Sequence, residues 1–297
     1  MKNSTKATFA LLGTVLLWSY MVVISRQIVF DIDPVTVLFL RLLIASIFFL
    51  PFFIFNHTWK KPHFLKLLLI SLGSTTNLTF FILGIKYTTA SASQIVYAAM
   101  PILIFTYGRL ILKEKQTPIK ITGIIIGFLG LLLIGFLSAI EKGATITGTL
   151  YGNILISIAM LGWTFYLLTS KKISKYFNPI ELGSTSILVS FIISTVIFFV
   201  NQSLTHSSLI LNKGQFFTIF YIGFAGTFLT YLLYQYAVKH SSPLKVSLTS
   251  YIQPVTTAFL AILILGEKLT YYFIIGSIFV LLGVFFTSYE TINLSKI

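Results

Sequence analysis

The chain has 297 residues, of which 56% are hydrophobic and 9% charged, with a net charge of +14 and a mean hydropathy of +0.94. Soluble domains carry about 25% charged residues, so this composition cannot cover a water-facing surface and leaves the bilayer as solvent. The absence of cysteine excludes disulfide frameworks and thiolate chemistry, and no Walker-type GxxxxGKS/T loop marks a nucleotide-driven motor.

A helix needs about 20 mostly apolar residues to cross the hydrocarbon. Ten stretches qualify, near residues 8–29, 34–56, 64–83, 91–112, 118–138, 149–170, 180–200, 215–237, 244–265 and 271–289. The first follows Lys2 and Lys6, as a secretory signal would, but no small-residue cleavage site follows it, so it reads as a span. Asp33-Pro34 and Asn178-Pro179 each put a capping side chain before a proline at the first helical position. Glu181 then falls where a capping-box carboxylate sits.

Lysine and arginine are distributed unequally between the two sets of short loops. Lys2, Lys6, Lys60, Lys61, Lys66, Lys113, Lys115, Lys120, Lys171, Lys172, Lys175, Lys239, Lys245 and Lys296 fall on one side. Only Arg26, Lys86, Lys142, Lys213 and Lys268 fall on the other. The positive-inside rule makes the first side cytoplasmic and puts both termini there. The positive charge is thus a topology signal and a contact for anionic membrane lipid, and no nucleic-acid partner is expected. Trp59, beside Lys60 and Lys61, suits an interfacial anchor on that face. The four histidines, His57, His63, His206 and His240, lie in predicted loops without metal-ligand spacing, so no metal site is expected.

The chain echoes itself. Residues 84–130 align without a gap on residues 237–283, pairing Pro101 with Pro254, Glu114 with Glu267, Gly123 with Gly276 and Gly130 with Gly283. A fixed-offset echo is the mark of a duplicated unit. Trp18 and Pro34 correspond to Trp163 and Pro179 at a slightly shorter offset, the difference being absorbed by the polar 201–213 loop. The repeats are 1–138 and 149–289, five spans each. Five is odd, so the second enters the membrane inverted. The fold class expected is therefore an all-α integral membrane protein of ten transmembrane helices in two inverted five-helix repeats. Inverted repeats recur in secondary transporters, with the substrate site at the midplane where they meet.

Each unit has a Trp early in its first helix, a Pro in its fourth and a Glu-Lys turn before a glycine-rich fifth. This pattern resembles the EamA family of the drug/metabolite transporter superfamily. ASQIVYAAMPILIFTYGRLILKEK and LTSYIQPVTTAFLAILILGEKLT carry the resemblance best, and it extends over nearly the whole chain. It implies a ten-helix multi-pass protein of the inner cell membrane, both ends cytoplasmic, exporting amino acids or other small metabolites. Some members import, so direction and cargo stay open.

Intramembrane chemistry is sparse. No Asp or Glu lies within a span except Glu181 at a cap and Glu114 and Glu267 at turns, so no proton relay is evident. With no paired carboxylates, Cys, or His in a span, an enzyme is not expected, and neither is a cofactor; a channel is the other alternative. Arg41 is the one charge far from a helix end. It is expected to snorkel outward to Asp31 and Asp33 in a structural role, with contact to a substrate carboxylate as the alternative. Arg109 snorkels to the inner headgroups.

Candidate substrate-binding side chains follow from helical spacing and depth. Gln94, Tyr97 and Pro101 share a stripe at i, i+3, i+7; the mirror positions are Ser247, Ser250 and Pro254, with Tyr251 and Gln253 alongside. The third and eighth spans add Asn77, Tyr231, Tyr234 and Gln235; the first and sixth add Trp18, Trp163 and Tyr166. Trp18 is about 15 Å into its helix, too deep for an interfacial belt. The alternative for this set is ordinary packing, since small and polar residues join membrane helices. Gly123, Gly127, Gly130, Gly276 and Gly283 read as close helix contact in the fifth and tenth spans, which also makes those spans the candidate faces of a homodimer.

Overall fold

A computed structural model of the chain describes residues 3–88, 90–97, 99–111, 113, 117–133, 149–205, 211–265 and 271–293. Every regular element among them is helical. In the first half these are α1 (Asn3–Asp31), α2 (Pro34–Phe55), α3 (Phe64–Tyr87), α4 (Ala90–Tyr97), α5 (Met100–Leu110) and α6 (Pro118–Leu132). The second half contains α7 (Leu150–Ile173), α8 (Pro179–Thr205), α9 (Lys213–Gly223), α10 (Thr230–His240), α11 (Pro243–Ser247), α12 (Thr249–Leu265) and α13 (Tyr271–Asn293). Among the described residues six helical stretches are long and apolar enough to cross a membrane: α1, α2, α3, α7, α8 and the run Lys213–His240. The Glu-Lys turns at Glu114 and Glu267 lie outside the described residues.

Helix starts follow the local chemistry. Asp33 accepts hydrogen bonds from the Val35 and Thr36 amides at 3.0 and 3.3 Å, with Pro34 in the first turn of α2. Asn178 and Glu181 cap α8 reciprocally: each backbone amide donates to the other's side chain at 2.8 Å. Glu181 also pairs with Lys61, the only ion pair among the described residues. Asn212 and Gln215 form a second capping box at the start of α9, at 2.9 and 3.0 Å.

Three spans depart from the continuous helices that the sequence suggests. The stretch 91–112 is divided into α4 and α5 just before Pro101, which lacks an amide and whose ring clashes with the carbonyl four residues back. The stretch 244–265 is divided at Leu248, while Pro254 stays inside α12. Here the hydroxyls of Ser247, Thr249 and Ser250 each donate to the carbonyl three residues earlier, at 2.7–2.8 Å, and so compete with the helical ladder. Between α9 and α10, residues Phe224–Leu229 widen into a π-helical segment. The Thr227 hydroxyl donates to the Ile222 carbonyl, five residues back, at 2.7 Å.

Helices of the two halves pack in matching pairs: α2 on α8, α3 on α7, α1 on α10 and α12, and α6 on α13. The outward faces are apolar, as at Ile192, Val196 and Phe199 on α8, all more than 60% exposed. Only a lipid solvent tolerates such a surface on a helix that is also apolar within. Polar residues instead join the helices inside. Ser71 and Thr75 of α3 meet Ser186 and Ser190 of α8 at 3.3 and 2.8 Å, and the Ser74 and Tyr231 hydroxyls share a bond of 2.7 Å.

The glycines of α6 and α13 bring backbone against backbone. A Cβ on Gly130 would stand 2.6 Å from the Gly276 carbonyl oxygen, and one on Gly283 would stand 2.6 Å from that of Gly123. Gly127 leaves the room that the Tyr251 ring fills, where an added Cβ would come within 2.6 Å of that ring.

Candidate functional site

Between the halves lies a cavity of about 630 Å³, its open mouth included. The first half contributes Trp18, Met21 and Val22 from α1, Arg41 from α2, and Asn77, Leu78 and Phe81 from α3. Gln94 and Tyr97 of α4 and Met100 of α5 complete that side. Opposite stand Trp163 of α7, Tyr231 of α10, and Thr249, Ser250 and Gln253 of α12.

The aromatic wall is tightly organised. Trp18 and Trp163 meet edge to face with ring centroids 5.4 Å apart, and Tyr234 packs behind both at 5.3 and 4.8 Å. The Trp18 indole donates to the Gly226 carbonyl at 3.1 Å, within the π-helical segment. With its donor used there, Trp18 offers the cavity its ring. The local widening of the helix is what presents Gly226 and Thr227 to α1 and α2, and such π segments recur at functional sites.

Asn77 supplies the opposite, polar character. Its amide nitrogen donates to the Ala159 carbonyl at 3.0 Å and to the Tyr97 hydroxyl. The bond to a carbonyl fixes the orientation of the amide, because only the nitrogen can donate there. The Asn77 Oδ1 is left as an acceptor and the Tyr97 hydroxyl keeps its own proton to donate.

Arg41 is 2% exposed and does not reach Asp31 or Asp33, contrary to the snorkelling expected from the sequence. Its Nε and Nη2 donate to the Thr227 hydroxyl at 3.2 and 3.0 Å, and Nη2 also reaches the Met21 sulfur at 3.6 Å. The physical reason is lateral: the Thr227 hydroxyl, turned inward by the π segment, offers a partner across the helix interface. Asp33 is engaged by the start of α2 and by Asn201, whose amide donates to it at 3.2 Å.

Of the substrate-binding side chains expected from sequence, Trp18, Asn77, Gln94, Tyr97, Trp163, Tyr231, Ser250 and Gln253 line the cavity. Tyr166, Tyr234 and Tyr251 do not. Tyr166 lies behind Trp163, its hydroxyl bonded to Ser186 at 2.7 Å, and Tyr234 is wholly buried behind the tryptophan pair. Tyr251 turns away from the cavity, donating to the Ile124 carbonyl of α6 at 3.1 Å. One position along a helix is a rotation of about 100°, enough to move Tyr251 off the face that Ser250 shares. Pro101 is buried outside the cavity and Met100 takes the lining position, since the break before α5 alters the register of the Gln94–Tyr97 stripe. The lining roles of Met21, Val22, Arg41, Leu78, Phe81, Met100 and Thr249 were not evident from spacing. Among the described residues no cluster of three His, Cys, Asp or Glu side chains could hold a metal ion.

Apolar-surfaced spanning helices around a partly open, polar and aromatic cavity define a multi-pass membrane protein. Similarity points the same way. An uncharacterized transporter of Archaeoglobus fulgidus is 25% identical over 295 residues, covering 97% of this chain and 98% of the relative. The uncharacterized transporter YoaV of Bacillus subtilis is 22% identical over 291 residues, covering 96% and 97%. A chain solved by crystallography shares the fold at a TM-score of 0.78 and 15% identity, covering 98% of this chain and 99% of the other. The model of the EamA-like transporter family matches residues 5–136 and 150–289, and the chain belongs to that family. It is a membrane transporter.

Proposed function

We propose that the protein is a secondary transporter of the inner cell membrane that exports amino acids or related small metabolites by alternating access. The observation that carries this reading is the cavity, which draws its lining from both halves and combines an aromatic wall with amide and hydroxyl groups. Aromatic faces hold the apolar part of a cargo, and the few convergent polar groups orient it. Import of a metabolite through the same fold is the alternative direction.

The architecture proposed is ten membrane-crossing segments in two inverted repeats, 1–138 and 149–289, with both termini cytoplasmic. The two segments matched by the family model support that division. The pairing of α2 with α8 and α6 with α13, and of α3 with α7 as α1 with α10, supports a twofold relation between the halves. Contacts between helix ends agree with the sides assigned from lysine placement. Lys61 meets Glu181, Lys172 donates to the Tyr107 hydroxyl at 2.6 Å, and Lys245 donates to Thr8 at 3.1 Å, all on the lysine-rich side. Arg26 donates to the Ile85 and Lys86 carbonyls at 2.6 and 3.0 Å on the other. Anionic lipid is the proposed partner of the lysine-rich face.

Flux of radiolabelled amino acids into proteoliposomes tests the function. Saturable uptake of at least one aromatic or aliphatic amino acid is expected. Rates equal to protein-free liposomes for every solute would end the reading.

A further inference from the structure

Arg41 is a cation held inside the protein at the cavity wall with no anion beside it. Its guanidinium has five N–H donors, and the partners it has are one neutral hydroxyl and one thioether. Nη1 has no hydrogen-bond partner among the described residues. Among the described residues no carboxylate lines the cavity, and the single ion pair, Lys61–Glu181, lies elsewhere. A positive charge at membrane depth costs several kcal/mol unless it is paired or hydrated. Among the described residues the guanidinium forms part of the cavity lining.

We propose that Arg41 is the binding site for a carboxylate of the cargo, which therefore belongs to the class of organic monocarboxylates. The proposal rests on the transporter reading above and narrows its substrate class. The planar fork of the guanidinium matches a carboxylate in two parallel hydrogen bonds. The Thr227 hydroxyl holds the Nε–Nη2 edge in place, so a carboxylate takes its two bonds from Nη1 and from the Nη2 hydrogen that meets the weakly accepting Met21 sulfur, displacing that contact. A doubly charged phosphate is disfavoured because the rest of the described lining is aromatic, aliphatic, thioether, amide or hydroxyl and offers no second cation. An ammonium on the cargo has no carboxylate to meet, so it contributes less than the carboxylate does. An amino acid is then recognised mainly as a carboxylic acid with an apolar body laid against Trp18 and Trp163.

The test uses purified full-length protein and two matched sets of probes. One set is phenylalanine, 3-phenylpropanoate, phenylalaninamide and phenethylamine; the other is the corresponding isobutyl series built on leucine. Binding is read by quenching of tryptophan fluorescence, to which Trp18 and Trp163 contribute from the cavity wall, and flux is read in proteoliposomes. Both carboxylates of a set are expected to bind, and the amide and the amine to bind on the order of a hundredfold more weakly. Arg41→Met is expected to abolish that preference, and Arg41→Lys, which keeps the charge but not the fork, to retain part of it. If Arg41→Met does not fold, the wild-type selectivity and the Arg41→Lys variant still decide the matter. Equal binding of amide and carboxylate would overturn the assignment, as would saturable flux confined to solutes without a carboxylate; in both cases transport itself would stand. No saturable flux of any solute would instead remove the transporter reading on which the assignment rests.

Discussion

Asn77 and Trp18 illustrate how individual side chains divide their bonding between fold and cavity. Each spends its N–H donors on protein partners, Asn77 on Ala159 and Tyr97 and Trp18 on Gly226, and presents its remaining surface inward. Replacing Asn77 by Leu removes a buried donor and leaves the Ala159 carbonyl and Tyr97 hydroxyl to find other partners, which costs about 1–3 kcal/mol at such sites. Trp18→Ala removes half of the edge-to-face pair with Trp163. Both variants are expected to lower flux by about tenfold or more. Trp18→Phe should retain more activity than Trp18→Ala, because a ring remains opposite Trp163. Flux per inserted protein, with insertion measured separately, checks this. The depth of Trp18 and the three-residue spacing of Gln94 and Tyr97 pointed in the sequence to residues that line the cavity. The surroundings of Arg41 were not, because its partner Thr227 is remote in sequence and is turned inward by a π segment that has no letter pattern of its own.

At the scale of elements, the α6–α13 contact depends on the absence of side chains rather than on their complementarity. An alanine Cβ at Gly283 would be driven against the backbone of Gly123 and Gly127, and backbone cannot yield as a flexible side chain can. Gly283→Ala is expected to destabilise the protein by about 1–3 kcal/mol, read as a lower melting temperature in detergent. The same substitution at Gly214, where the nearest atom is the Asn212 side-chain oxygen at 3.4 Å, should have little effect and serves as the control. The glycine spacing was legible in the sequence as a contact face, whereas the stretch 91–112 read as one helix and is divided before Pro101, and Pro254 interrupts nothing. The break at Leu248 was not legible, since it arises from the hydroxyls of Ser247, Thr249 and Ser250, whose bonds to backbone compete with the ladder, rather than from Pro254. Tyr251 was misplaced for a related reason: a polar tip suggested the cavity, whereas the ring fills the space above Gly127.

For the whole molecule, the lack of cysteine makes topology directly testable. Single cysteines at Lys60 or Lys175 are expected to react with an impermeant thiol reagent only from the cytoplasmic face, and those at Lys86 or Lys213 only from the opposite face. Reaction of the Lys60 and Lys213 replacements, which lie in equivalent loops of the two halves, from the same side would refute the inverted arrangement.

The helices α2 and α8 are fastened to one another at both extremities. Lys61 clasps Glu181 at one end, Asn201 holds Asp33 at the other, and the Phe39 ring stacks on Phe198 with centroids 4.4 Å apart between them. A pair pinned top and bottom cannot change its mutual tilt without breaking a clasp, so it is suited to serve as a stator. The bending that a moving carrier needs then falls to the helices already interrupted, α4 with α5 and α11 with α12, of which α4, α5 and α12 border the cavity.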